Sequence, residues 1–230
     1  MGIELPEVIF LENCVRFPHL LNADILVGLD VDFKKNFLNS CVAKLYPTPT
    51  VIFEQGEPAA GMVIVAHGYA DVTFVGEDGH QTFLTRSKVG NTLGESETVA
   101  EEPCAASCVT SANATILRCS PVSLFAALQN PVFIKNIAKT FHRRLVYDNW
   151  VKHIAQFGDV EQRLRGYLYV LSEHTNTIKE TQSYLANMVG CSRQTINREL
   201  AGMREAGLIT QSGSVITILN REALGEGLMV

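Results

Sequence analysis

Four polar side chains that can hydrogen-bond to DNA bases lie close together in the last quarter of the chain: Arg193, Gln194, Asn197 and Arg198. Gln194 and Arg198 are four residues apart, as are Arg193 and Asn197, so each pair would lie along one side of a helix. In the major groove arginine can pair with guanine, and glutamine or asparagine with adenine. The spacing predicts a base-reading helix; the alternative is an exposed helix with ordinary solvated charges.

The surrounding segment, residues 179–209, has the pattern that would position these side chains, namely a helix, a tight turn and a second helix. Thr181 and Ser192 are suitable N-caps, and Gly190 supplies the turn between the helices. Gly207 ends the second helix. Apolar residues at three- and four-residue spacing predict the two buried faces: Tyr184, Leu185 and Met188, then Ile196, Leu200 and Met203.

The sequence VGCSRQTINREL, residues 189–200, resembles the recognition helix of the Crp/Fnr family of bacterial transcription factors, the cyclic-AMP receptor and fumarate-nitrate reductase regulators. By that resemblance Arg193, Gln194 and Arg198 face the bases of double-stranded DNA. The family usually has glutamate in place of Gln194, so the operator need not match the common half-site at that base pair. The resemblance also implies phosphate contacts, which position a helix without reading sequence, from Thr181, Ser192 and Thr195.

Composition and charge fit a protein of two ordinary domains without disorder, because 230 residues with 47% apolar content can bury two cores. Residues 1–130 hold 7 Lys and Arg against 15 Asp and Glu, whereas residues 131–230 hold 12 against 9. The small excess of basic residues in the second segment is too weak to indicate DNA binding on its own. The N-terminus lacks the order of a signal peptide, and no apolar run could span a bilayer. We therefore expect a cytoplasmic protein without a membrane partner.

The first half of the chain predicts short helices at 18–27 and 30–41, followed by many short strands broken by glycine, as in a small barrel or jelly roll. Asp78-Gly79 predicts a hairpin, and the strands on either side of His67-Gly68 are expected to pair. A further strand is expected over 105–119. The segments at 53–57 and 90–95 resemble the β-roll sensor domain of the Crp/Fnr family, which is of the cyclic-nucleotide-binding type.

The resemblance implies an effector pocket, whose candidate residues are Gly94, Glu95, Cys104, Ala105, Asp148 and Asn149. Glu95 matches the glutamate that holds the ribose in cyclic-nucleotide binders. However, Cys104 and Ala105 stand where those binders have the arginine and the hydroxyl residue that hold the phosphate. Asp148 and Asn149 replace the hydroxyls offered to the adenine. We therefore expect a small effector other than cyclic AMP, and the sequence names no cofactor.

Residues 131–157 predict one long helix, with Ile134, Ile137, Phe141 and Leu145 on a narrow stripe. The stripe fits either a coiled-coil seam or a helix packed on the roll, and the resemblance favours a seam that makes a homodimer. Gly158 is a candidate hinge. The predicted α+β architecture is therefore a β-roll over 1–130, a dimerisation helix over 131–157 and a winged helix-turn-helix over 158–230. An activator of this kind would also contact RNA polymerase.

Three alternatives remain open at this point. Cys104 and Cys108 could sense thiol redox state, although buried structural cysteine is the simpler interpretation. A sensor that has lost its signal would bind DNA constitutively. A jelly-roll metal enzyme would need histidines close together, with only His67 and His80 as candidates on the roll. No catalytic residues and no metal ligands are predicted.

Overall fold

The computed structural model describes residues 3–4, 12–79, 81–172 and 176–226. The chain divides into two compact units, residues 1–141 and 142–230. The boundary between the units lies within one helix, Pro131–Phe157, and the predicted boundaries at 130 and 157 stay predictions. The first unit is mainly β and the second is a winged helical unit, in agreement with the predicted α+β architecture. In the described part of the chain, none of the helices is long and apolar enough to span a membrane.

The first unit is built from short strands and short helices. The strands are β1 Ile3–Glu4, β2 Val42–Tyr46, β3 Val51–Phe53, β4 Met62–His67, β5 Tyr69–Val75, β6 Gln81–Lys88, β7 Thr92–Leu93, β8 Ser107–Thr110 and β9 Ala114–Cys119. The helices are α1 Asn13–Arg16, α2 Val31–Asn39, α3 Glu95–Ala100, α4 Pro121–Ala127 and the start of α5 Pro131–Phe157, with 3-10 turns at Pro18–Asn22 and Asp24–Leu26.

The strands form two antiparallel sheets, in the order β1-β2-β9-β4-β7 and β3-β8-β5-β6. The strand β4 is apolar on both of its faces because each face is buried. Met62 and Ile64 belong to a cluster shared with the helices, whereas Val63 and Val65 belong to a second cluster with residues of the other sheet. The alternation of side chains along a strand therefore builds two cores, one under the helices and one inside the roll.

Three predictions for this unit need correction. The strands on either side of Gly68 do not pair, because β4 pairs with β9 and β7 whereas β5 pairs with β6 and β8, in the other sheet. The single strand expected over 105–119 is two strands, separated by a turn in which Asn113 has a φ of 57°. The helix expected over 18–27 is a pair of 3-10 turns. The hairpin at Asp78-Gly79 is confirmed, since β5 pairs with β6.

The helices of the first unit close around an aromatic centre. The ring of Phe133 on α5 is completely buried and lies 5.1 Å from the Phe37 ring and 6.1 Å from the Phe33 ring, centroid to centroid. One turn further along α5, the buried Asn136 donates from Nδ2 to the carbonyl oxygens of Ile25 and Val27 at 3.1 and 2.7 Å. These contacts fix the start of α5 on the first unit.

The second unit is helical, with one small sheet. Its elements after α5 are α6 Val160–Leu171, β10 Thr177–Lys179, α7 Gln182–Val189, α8 Arg193–Glu205, β11 Ile209–Ser212, β12 Val215–Ile218 and α9 Arg221–Gly225. The sheet has the order β10-β12-β11, and β11 and β12 form a hairpin around Gly213, the wing of the predicted winged helix-turn-helix. The helix α9 was not predicted, because a five-residue helix carries little periodicity.

Candidate nucleic-acid interface and effector site

The two helices of the predicted helix-turn-helix are α7 and α8, and their ends are capped as the sequence predicts. The Thr181 hydroxyl accepts from the Tyr184 backbone N–H at 3.1 Å, and the Ser192 hydroxyl accepts from the Thr195 N–H at 3.0 Å. Between them Gly190 has a φ of 70°, a left-handed conformation that glycine adopts without a steric penalty. The turn between the helices therefore depends on glycine, and the capped starts define where each helix begins.

The buried face of α8 consists of Ile196, Leu200 and Met203, as predicted. On α7 the buried residues are Leu185, Ala186 and Val189. Tyr184 and Met188 are only half-buried, so the buried face is turned about the helix axis relative to the predicted one. This packing leaves one side of α8 in solvent.

All four predicted base readers lie on that solvent side. Arg193, Gln194, Asn197 and Arg198 are exposed on the first two turns of α8. The Arg193 guanidinium lies 3.5 Å from Gln182 Oε1 on the preceding helix, and Arg198 contacts the carboxylate of its neighbour Glu199. The four side chains offer hydrogen-bond donors together on one face, which is the arrangement that major-groove reading needs.

The predicted phosphate contacts lie at the two helix starts. Thr181 and Ser192 are exposed, and Thr195 is half-buried. Each capping hydroxyl accepts a backbone N–H through its oxygen lone pair, so its own O–H can still donate to a phosphate oxygen. The Ser192 and Thr195 hydroxyls also lie 2.9 Å apart, so one of them can donate to the other. Helix starts suit anions in addition because their N–H groups point outward.

In the first unit, the predicted effector residues Gly94 and Glu95 lie at the start of α3. A Cβ atom on Gly94 would lie 2.5 Å from Cζ of Phe53 and 3.0 Å from the Gly61 carbonyl oxygen, and the φ of 79° is left-handed, so this position requires glycine. The Glu95 side chain is completely buried, and its Oε1 accepts from the Thr92 hydroxyl at 3.0 Å. Glu95 is therefore held by its own chain inside the roll.

Cys104 and Ala105 lie directly before β8, where a neighbouring loop fixes the backbone. The Cys104 N–H donates to the Glu57 carbonyl oxygen at 2.8 Å, and the Gly56 N–H donates to the Cys104 carbonyl oxygen at 2.8 Å. Burial raises the pKa of the Cys104 thiol, and the nearby Glu97 carboxylate raises it further. The reactive thiolate form is thus disfavoured at this cysteine. Ala105 is exposed and offers no polar side chain.

A cleft of about 330 Å³ opens beside this loop. Its lining is acidic and apolar: Pro58, Ala59, Glu97, Thr98, Glu101, Glu102, Pro103, Pro121 and Phe125. None of these lining side chains carries a positive charge. The remaining effector candidates, Asp148 and Asn149, are exposed on α5. They belong to the second unit, whereas the other four candidates belong to the first, so neither unit contains all six.

Sequence and structure comparisons agree with this architecture. Residues 43–130 match the model of the cyclic nucleotide-binding domain, and residues 162–226 match that of the Crp-like helix-turn-helix domain. The chain is also similar to the cAMP-activated global transcriptional regulator CRP of Salmonella typhimurium, with 26% identity over 193 residues, covering 79% of this chain and 91% of the relative. The chain belongs to the Crp/Fnr family.

Solved structures show the same Crp/Fnr fold. The c-di-GMP responsive global regulator CLP of Xanthomonas campestris aligns with a TM-score of 0.68 at 23% identity, covering 83% of this chain and all of that one. FixK2 of Bradyrhizobium japonicum aligns with a TM-score of 0.69 at 15% identity, covering 83% and 98%. This Crp/Fnr protein is a transcription regulator with a DNA-binding helix-turn-helix, and not an enzyme. His80, half of the pair considered for a metal enzyme, lies outside the described residues.

In this Crp/Fnr chain Arg163 connects the helix-turn-helix with the predicted hinge through hydrogen bonds, and the sequence did not predict this role. Arg163 on α6 donates from Nε to the Val189 carbonyl oxygen at 3.0 Å and from Nη1 to the Gly158 carbonyl oxygen at 2.9 Å. Asp159 caps the same helix by accepting from the Gln162 N–H at 2.8 Å. A half-buried arginine with two backbone acceptors gives no local sequence signal.

A second arginine holds the C-terminal helix. Arg165 donates from Nη2 to the carbonyl oxygens of Ala223 and Glu226 at 2.6 and 3.0 Å, and from Nε to that of Leu224 at 3.1 Å. Arg165 thus supplies donors to the carbonyl oxygens at the C-terminal end of α9. The Arg221 guanidinium, 3.8 Å from the centroid of the Tyr169 ring, adds a second contact between α9 and α6.

Proposed function

We propose that the protein is a homodimeric regulator that binds an imperfect palindrome and answers to a small effector other than cyclic AMP. The observation that carries the proposal is the exposed reader face of α8. Arg193, Gln194, Asn197 and Arg198 remain in solvent on a helix whose other side is buried, and the caps Thr181 and Ser192 can hold the flanking phosphates. Arg and Gln or Asn together predict contacts to guanine and adenine.

The dimer is supported by apolar side chains that α5 leaves exposed. Ile134 and Leu145 are 48% and 57% exposed, and they are eleven residues apart, which is three turns along the same face. The predicted seam also contained Ile137 and Phe141, and that part is wrong. Ile137 is buried in the core of the first unit and Phe141 packs against it. A partner helix would therefore meet Ile134 and Leu145, with the small Ala138 between them.

Two subunits related by a two-fold axis would place their α8 helices in successive major grooves about 34 Å apart. The operator would then be an imperfect palindrome with half-sites about one helical turn apart. An activator bound to such a site would also contact RNA polymerase. A signal would act by changing the population of dimers whose α8 helices have this spacing, with Gly158 as the hinge.

The argument against cyclic AMP rests on charge. A cyclic phosphate is an anion and needs a cation or several donors, such as an arginine fork. Cys104 and Ala105 supply neither. The surrounding field is negative, because Glu97 and Glu57 both raise the pKa of the Cys104 thiol and Glu101 and Glu102 line the adjacent cleft. The Salmonella relative is named as cAMP-activated, so this chain would differ from it in its effector. A neutral or cationic molecule fits better.

The test is an operator selection followed by affinity measurements on the purified full-length protein at one stated salt concentration. We expect a two-fold symmetric site and an affinity that cyclic AMP leaves unchanged. A single unpaired half-site would contradict the homodimer. Tighter binding with cyclic AMP would contradict the effector assignment, and tight binding that no cell extract or metabolite mixture alters would show a constitutive binder instead of a regulated one.

A further inference from the structure

Two cysteines far apart in sequence, Cys41 and Cys119, face each other across the β2–β9 strand pair. In that antiparallel pair Val42 lies opposite Arg118 and Ala43 opposite Leu117. One residue further out, the register places Cys41 opposite Cys119. Both cysteines are thiols, with exposed fractions of 5% and 1%.

Their side chains also point to the same face of the sheet. Cys41 and Ala43 are two residues apart, as are Leu117 and Cys119, and all four belong to the same apolar cluster under the helices. Facing residues of an antiparallel pair have Cβ atoms about 4.5–5.5 Å apart. A disulfide needs about 3.5–4.5 Å. Cys119 is held in the sheet by its pairing with Met62 of β4, whereas Cys41 precedes β2 and lies outside the ladder, so movement at Cys41 would close this difference.

We propose that Cys41 and Cys119 form a redox-active dithiol that closes to a cross-strand disulfide when a peroxide oxidises the protein. This site differs from the predicted thiol pair, Cys104 and Cys108, which lies in the other cluster inside the roll. The proposal concerns only the chemistry of the β-roll and does not depend on which effector or operator the protein binds.

The two thiols have unequal roles because their pKa values are shifted in opposite directions. A hydrogen bond with Cys119 raises the pKa of the Cys41 thiol, and burial raises it further, whereas the same hydrogen bond lowers the pKa of Cys119. The Cys41 S–H also has the Phe37 carbonyl oxygen within reach at 3.3 Å. The Cys119 S–H has the Ser120 carbonyl oxygen at 3.6 Å, and burial opposes its ionisation, so the hydrogen bond from Cys41 is what favours Cys119 as the attacking sulfur.

The reaction balances with hydrogen peroxide as the oxidant. The Cys119 thiolate attacks one peroxide oxygen, an S–O bond forms, the O–O bond breaks, and the departing hydroxide takes up the proton that Cys119 lost, giving water. The Cys41 sulfur then attacks the Cys119 sulfur of the sulfenic acid. The S–S bond forms, the S–O bond breaks, and the hydroxide leaves with the Cys41 proton as a second water. Two electrons pass from the two sulfurs to the peroxide.

Peptide mapping of the native full-length protein tests the proposal. Trypsin cleaves after Lys35, Lys44, Lys88, Arg118 and Lys135. Cys41 then lies in peptide 36–44 and Cys119 in peptide 119–135, while Cys104 and Cys108 share peptide 89–118. The protein is treated with hydrogen peroxide, alkylated and digested. We expect the two peptides to be joined, at a combined mass lower by two hydrogens, and to separate after treatment with dithiothreitol.

Recovery of both peptides singly and alkylated after peroxide treatment would overturn the proposal. Joining of Cys119 to any other cysteine, or its conversion to sulfinic acid while Cys41 stays reduced, would overturn it as well. In C41S the Cys119 sulfenic acid should persist long enough to be trapped by dimedone. In C108S, which removes a similarly buried thiol of the other cluster, the joined peptides should still form. If C41S fails to fold, the map of the unaltered protein decides alone.

Discussion

One carboxylate oxygen of Glu199, Oε1, accepts hydrogen bonds from both Nε and Nη2 of Arg198, at 3.1 and 2.9 Å. The Arg198 side chain is 76% exposed, so this pair contributes little to stability. Its effect is directional. The carboxylate occupies the Nε–Nη2 edge of the guanidinium and leaves the N–H groups of Nη1 and the second N–H of Nη2 for a guanine that approaches from solvent. Glu199 thus orients the side chain that we propose as a base reader.

Replacing Arg198 by Ala should weaken operator binding by about 1–3 kcal/mol and relax the choice at one base pair of each half-site. The reason is the loss of a two-donor contact to guanine, which no other residue of the face replaces. Affinities for the selected site and for its single-base variants measure the effect. Arg204→Ala, an exposed arginine in the last turn of the same helix, serves as the control and should leave discrimination intact. Unchanged discrimination in the Arg198 variant would remove this residue from the base readers.

Replacing Gln194 by Glu should change which base is preferred, because a glutamine both donates and accepts whereas a carboxylate only accepts. The variant should favour a cytosine, whose N4 amine donates, at the base pair that Gln194 contacts. Repeating the operator selection with the variant measures the change. Gln194→Ala is the matched control, which should lose preference at that position without gaining a new one. A selection identical to that of the parent protein would mean that residue 194 does not read a base.

Replacing Leu145 by Glu should separate the dimer, because two carboxylates would meet across the two-fold axis in place of two apolar side chains. Sedimentation equilibrium should then report the monomer mass, with operator affinity reduced accordingly. Val122→Glu is a suitable control, since Val122 is 80% exposed and belongs to α4, a different helix from the proposed seam. If the Leu145 variant remains a dimer, the seam lies elsewhere.

Replacing Arg163 by Met should lower the free energy of unfolding of the second unit by about 1.5–3 kcal/mol, the range for hydrogen bonds to a charged group. The variant leaves the carbonyl oxygens of Val189 and Gly158 without this donor. Urea unfolding followed by circular dichroism measures the loss. Arg204→Met removes a hydrogen bond to Gln211 that is exposed to water, so it should cost less than about 0.5 kcal/mol. Equal losses in the two variants would contradict a structural role for Arg163.

The helix-turn-helix could be predicted almost completely from the sequence because its signals are local. Thr181, Gly190 and Ser192 act on neighbours within four residues, and the apolar spacing on α8 shows directly which side is buried. The reader face follows from the same spacing. The half-buried positions of Tyr184 and Met188 were missed because they depend on what packs against α7, and spacing within one helix does not contain that information.

The sheet pairings and the side-chain contacts between distant segments could not be predicted in the same way. His67-Gly68 has the pattern of a hairpin, but the chain passes there from one sheet to the other, and only the partners of β4 and β5 show this. The meeting of Cys41 with Cys119, and of Arg163 with Val189, likewise depends on tertiary register.

The pairing of β2 with β9 has a consequence for how the protein is made. About seventy residues separate these strands, and β9 lies between β2 and β4 in the first sheet. On the ribosome β2 and β4 therefore remain without β9, the strand that lies between them, until residue 119 has left the exit tunnel. High contact order of this kind slows folding. We expect the first unit to be the slow step of refolding, and the part of the nascent chain that needs chaperones.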